Sequence, residues 1–129
     1  MSAFPLPAVE ASTFRATLAV ENSSWHMRWA GTADILVQEQ LGAFLTAAHE
    51  CATSYLASRM VVDLTDLKFI NSSCLKNVVS WLITVKNDAK NRQYHIVFRI
   101  NPKATWQDRS FTAMSCMCAD LVTLDAGGA

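Results

Sequence analysis

The segment VVDLTDLKFINSSCLKNVVSWLI, residues 61–83, changes character twice. An apolar, strand-like run gives way to Asn71-Ser72-Ser73-Cys74, and an apolar run at helical spacing follows at once. A strand feeding a helix through so few residues predicts a βα unit, whose natural continuation is a parallel strand. Asn71 suits the position before a helix, because its side-chain oxygen can accept from an orphan backbone N–H. The spacing predicts a helix from about Ser73 to Asp88.

Around that helix, Leu75, Val78, Leu82, Val85 and Ala89 share one sector with Cys74. Val79 and Ile83 widen it on one side and Trp81 on the other. The apolar arc spans roughly 200°, wider than the ~100° stripe of a helix buried on one side. Deep burial accounts for most of such an arc. An edge that meets another protein, near Trp81 or near Ile83, accounts for the rest, and the sequence leaves the two open for Trp81. Lys86 falls within the arc, where a lysine can lay its stem on apolar surface and keep its ammonium in water.

The flanking chain fits the same architecture. Thr13 to Val20 places Phe14, Ala16, Leu18 and Val20 on one face, and Trp25 to Ala30 alternates again. A short polar link joins them, which predicts a hairpin. Gly31-Thr32-Ala33-Asp34 then breaks the strand, and Asp34 caps a first helix to about Tyr55. Arg59 to Leu64 reads as a short central strand, Tyr94 to Ile100 as another, and Leu121 to Leu124 as the last. Pro102 suits the first position of a third helix. The predicted order is ββαβαβαβ, a mixed α/β sheet of four or five strands with helices mainly on one face. Residues 1–11 read as a loose lead-in, 12–125 as one domain and 126–129 as a flexible tail.

Composition narrows the function classes. The chain has 129 residues, 51% apolar and 17% charged, with net charge zero. That supports one packed core and gives no electrostatic case for nucleic acid or an anionic membrane. No basic segment precedes an apolar core at the N-terminus, and no apolar run is long enough to span a bilayer. Cys51, Cys74, Cys116 and Cys118 match no zinc spacing, so reduced, mostly buried thiols in a cytoplasmic protein are expected. No metal or other cofactor is expected.

The motif VVDLTDLKFINSSCLKNVV resembles the signature of the STAS domain, the fold shared by sulphate transporters and anti-sigma-factor antagonists. That signature is an aliphatic strand, an Asp-Leu pair, an apolar pair, and Asp-Ser-Ser-Gly-Leu opening a helix. Here these are Asp63-Leu64, Phe69-Ile70 and Asn71-Ser72-Ser73-Cys74-Leu75. Gly31-Thr32-Ala33-Asp34 resembles the family's Gly-x-x-Asp, so Gly31, Asp34 and Asp63 support the match. The resemblance covers about Thr13 to Leu124. It implies a small α/β domain that binds rather than catalyses. In the antagonist branch the first serine is phosphorylated by a partner that is both anti-sigma factor and serine kinase. Carried over, the phosphoacceptor candidates are Ser72 and Ser73, and the partner-binding candidates are Asn71, Cys74, Lys76, Asn77 and Trp81. A homodimer is left open. Asn71 stands where the family has Asp and Cys74 where it has Gly. Asn71 and the wide apolar arc suit a second reading, a scaffold STAS subunit of a signalling or lipid-transport complex that is never phosphorylated. Cys74 is expected to be a small packed side chain, with redox sensitivity at a helix start the alternative. An enzyme using Ser72 with His26, His49 or His95 finds no support in the spacing.

Overall fold

The computed structural model describes residues 2–3, 8–21 and 24–125. Strands β3 (Phe14–Glu21) and β4 (Ser24–Ala33) form the predicted antiparallel hairpin. Strands β5 (Arg59–Ile70), β6 (His95–Arg99) and β7 (Val122–Asp125) add in parallel, in the order β4-β5-β6-β7. Helices α1 (Gln38–Ser54), α2 (Ser72–Asn87) and α3 (Thr105–Ser115) connect them. Every step along the sheet runs in the same direction, and βαβ crossovers are right-handed. The three helices therefore lie on one face, as expected.

Two cross-strand rows show the core face. Val20, Trp25, Met60, Ile96 and Val122 are in register, as are Leu18, Met27, Val62, Phe98 and Leu124. Trp25, Met27, Met60, Val62, Ile96 and Phe98 are buried beneath the helices. One of the opposite-face rows is Thr17, Arg28, Asp63, Arg99 and Asp125, whose charges alternate in sign. Opposite charges on adjacent strands suit an uncovered sheet face. Arg99 pairs with Asp125 at 3.5 Å, and Arg28 pairs with Asp66.

Several boundaries differ from the sequence reading. The lead-in holds two short strands, β1 (Ser2–Ala3) and β2 (Val9–Glu10), both paired with β3. Among the described residues the sheet thus has seven strands, these two added to the four or five predicted. The tail, 126–129, lies outside the described residues. Gly31 does not end β4, which runs on through bulges to Ala33, opposite Ile70. That pairing keeps Thr65–Ile70 in β5, where the sequence reading ended the strand at Leu64. Gly31 has φ +94°, and a Cβ there would collide with the Thr13 carbonyl. Only glycine fits this bend at ordinary cost. Asp34 caps a 3-10 turn, Ile35–Val37, ahead of α1. Helix α3 starts at Thr105 rather than Pro102. Ala104 N–H donates to the Asn101 carbonyl, closing a turn over Pro102 and Lys103.

Candidate functional site

The site is built where two parallel strands end side by side. Asn71 N–H donates to the Ala33 carbonyl at 2.9 Å, tying the end of β5 to the end of β4. Asn71 Oδ1 accepts from Cys74 N–H at 2.9 Å, and its backbone is extended, as a cap requires. Helix α2 therefore begins at Ser72. Ser72 is exposed and Ser73 half-buried. The first turn of α2 carries no acidic residue. The N–H groups at this end have no intrahelical partners and, with the helix dipole, favour an anion.

Cys74 faces inward and is fully buried, with Sγ 3.4 Å from the Asp34 carbonyl oxygen. Burial first, and the Asp34 carboxylate second, push its thiol above the ordinary cysteine range. That disfavours the thiolate and removes the case for a redox-sensitive Cys74. As a buried side chain, Cys74 packs the site from below rather than touching a partner. Asp34 Oδ1 accepts from Leu36 N–H at 3.0 Å. Asp63 Oδ1 accepts from both the backbone N–H and the hydroxyl of Thr65, at 3.0 and 2.7 Å. Asp34 thus stands at the strand ends that hold the serines, whereas Gly31 sits at the bend in β4 and Asp63 in the middle of β5.

Along α2, Ser72, Lys76, Val79, Ile83 and Lys86 form one ridge at i, i+4, i+7, i+11 and i+14. Ser72, Lys76, Ile83 and Lys86 are exposed and Val79 is half-buried. Lys86 Nζ donates to the Met117 carbonyl at 3.2 Å. The other flank of α2 faces α1. Asn77 Nδ2 donates to the Gln38 carbonyl at 2.8 Å. A groove of about 370 Å³ runs between Thr46, His49 and Glu50 of α1 and Asn77, Ser80 and Thr84 of α2.

Trp81 does not belong to the surface. It is 4% exposed, so the expectation of a partner-binding anchor there is corrected. Its indole N–H donates to the Tyr94 hydroxyl at 2.9 Å. Tyr94 Oη lies 2.8 Å from His49 Nδ1, and His49 Nε2 lies 3.0 Å from Asp88 Oδ2. Trp can only donate, so the Tyr94 oxygen accepts the indole proton, and the two ring nitrogens of His49 bridge the Tyr94 hydroxyl and the Asp88 carboxylate. Burial keeps the Tyr94 hydroxyl well above the usual tyrosine range, so it stays protonated. The wide apolar arc of α2 is thus burial on the Trp81 side and exposure on the Ile83 side.

Three exposed apolar residues stand close in sequence to Ala33 or Asn71, where the two strand ends are tied. Ile35, Leu36 and Phe69 are 63%, 78% and 51% exposed. Phe69 pairs with Thr32 beside the β5 end, and Ile35-Leu36 follow Asp34 directly. The sequence held a signal for each. Phe69 and Ile70 are adjacent in a strand, so only one can face the core, and Ile70 does. Ile35 and Leu36 precede the first residue of the α1 stripe, Val37.

The three histidines are engaged elsewhere. His26 Nε2 lies 3.3 Å from Ser24 Oγ and His95 Nε2 2.6 Å from Thr123 Oγ1. His49 uses both ring nitrogens in the Tyr94 and Asp88 contacts. The four cysteines are unpaired, and no metal-holding cluster of His, Cys, Asp or Glu occurs among the described residues. No described helix is long and apolar enough to cross a membrane.

The chain is similar in structure to an anti-sigma factor antagonist from Mycobacterium paratuberculosis. The TM-score is 0.64 at 14% identity, covering 91% of this chain and 90% of that one. A second solved structure, an antisigma-factor antagonist STAS domain from Rhodobacter sphaeroides, overlaps at TM-score 0.48 and 13% identity, over 69% of this chain and 86% of that one. No family model matches the sequence, and no curated protein does. The fold is STAS-like.

Proposed function

We propose that this protein is a regulatory interaction domain of the anti-sigma-factor antagonist type, acting in the cytoplasm. It binds a partner through the exposed surface around Asn71, Ser72 and Ser73 and along the Lys76 ridge of α2. The partner is a serine-kinase anti-sigma factor or a related regulator, and phosphorylation of Ser72 ends the binding. One observation carries this reading: Ser72 is exposed at the first position of a firmly capped helix, beside the exposed apolar side chains of Ile35, Leu36 and Phe69.

The physical logic joins tolerance and repulsion. A phosphate adds about −1.5 to −2 charge at pH 7. The helix N-terminus accepts that charge without unfolding. A partner fitted to a near-neutral, partly apolar surface would have to desolvate a dianion, and its affinity falls. Incubation with the kinase and ATP, followed by mass spectrometry, tests the switch. Phosphate on Ser72, absent from Ser72→Ala, supports it.

The second reading has one observation in its favour. Asn71 is uncharged where the resembling signature has Asp, and its oxygen is spent on the Cys74 cap. A kinase that needs a carboxylate there would leave the chain unmodified. The domain would then serve as a scaffold subunit that binds through the same surface, and no phosphate on Ser72 or Ser73 in the kinase assay selects that role.

A further inference from the structure

Ser72 and Ser73 are neighbours in sequence, but a helix sends them to different surroundings. The side chain one turn on from Ser72 is Lys76, and from Ser73 it is Asn77. Lys76 is exposed and makes no hydrogen bond or ion pair among the described residues. Asn77 is committed to the Gln38 carbonyl, and its side-chain oxygen would lie 3.1 Å from a Cβ placed on Gly42. Ser73 therefore looks toward the seam between α1 and α2, which offers a committed amide. Ser72 looks along an open ridge that offers a free ammonium. The opposing charge nearby is the Asp34 carboxylate, which holds Leu36 N–H on the α1 side of the site.

Resting on the reading of this site as a phosphorylation switch, we infer that Lys76 is the internal counter-cation of a phosphate on Ser72. It is also the feature that fits Ser72, and not Ser73, to carry one. In the modification, Ser72 Oγ forms a bond to the γ-phosphorus of ATP. The bond from that phosphorus to the ADP oxygen breaks, and the hydroxyl proton passes to the kinase. An anion one turn before a lysine is the favourable order for a pair on a helix, and the phosphate, in the first turn of α2, also complements the helix dipole. Pairing takes the Lys76 ammonium away from a bound partner and leaves excess negative charge at the Ser72 end of the ridge. Lys76, Val79 and Ile83 thus form the phosphate-sensitive half of the surface. Ile35 and Leu36, across Asp34, form the less sensitive half.

The test uses full-length protein with phosphoserine installed during synthesis at position 72 or at position 73, and phosphorus NMR titration of each. The phosphate at 72 should titrate below its ordinary second pKa of about 6. Lys76→Met should raise that value by about 0.3 pH unit, and Lys76→Arg should largely retain it. The phosphate at 73 should move less than half as far in Lys76→Met. No movement at 72, or equal movement at both positions, overturns the inference. A purely structural role for Lys76 would leave both titrations unchanged. Because no kinase is used, failure here leaves the switch standing, and failure of the kinase assay leaves this measurement intact.

Discussion

The two halves of α2 are built from similar residues and do opposite things. At its start, Asn71, Ser72 and Lys76 meet solvent around a rigid cap. In its second half, Trp81 runs into Tyr94, His49 and Asp88, a polar chain closed under α1. The first half can change its surface chemistry without disturbing the fold. The second cannot lose a partner without exposing an unsatisfied buried group. A helix whose exposed ridge is separated from its packing contacts can be modified on one and remain folded by the other.

Substitutions can break that division, and the largest effect is expected in the packing half. Trp81→Ala removes a buried indole and should destabilise the domain by about 3–5 kcal/mol in urea unfolding. A change under 1 kcal/mol would return Trp81 to the surface. Tyr94→Phe keeps the ring but strands the Trp81 N–H and the His49 ring nitrogen. It should cost about 1–3 kcal/mol by the same measurement. Asn71→Ala removes one cap bond, at about 1 kcal/mol.

The pH dependence sharpens the comparison. The Asp88 carboxyl lies below the usual range, first because Ala89 N–H donates to it, then because of His49 and Arg92. A depressed carboxyl contributes fully above its unfolded value of about 4 and loses the contribution as pH falls through the folded value. The difference in unfolding midpoint between the wild type and Asp88→Asn should therefore hold from pH 5 down to about 4 and then shrink toward pH 2. A difference that stays constant over that range would mean Asp88 is not held by these donors. The smallest effect belongs to the exposed start of α2. Ser72→Ala should shift stability by no more than about 0.5 kcal/mol, read from the same urea curves.

Much of this was legible in the sequence, and the misses have local causes. Alternation in Phe14–Val20 and Trp25–Ala30 specified the hairpin, because a strand with one buried face writes its period into the residues. The Asn71 cap and α2 followed from residue type and spacing. The full length of β5 was not legible, since Thr65-Asp66-Leu67-Lys68 reads as a polar break and becomes strand only by pairing with Ala30–Ala33. The role of Trp81 depended on residues far along the chain, His49 and Tyr94, which no local pattern connects. The exposed Ile35, Leu36 and Phe69 were missed as part of the site because apolar residues are read as core by default.

The central claim is that the start of α2 is a binding surface that a phosphate on Ser72 turns off without unfolding the domain. Calorimetric titration of the serine-kinase anti-sigma partner with unmodified and Ser72-phosphorylated protein tests it directly, with near-ultraviolet circular dichroism as the check on fold. The account predicts unchanged dichroism and affinity weakened at least about tenfold, a difference of 1.4 kcal/mol. Equal affinity for the two forms, or loss of the folded spectrum on phosphorylation, would contradict it.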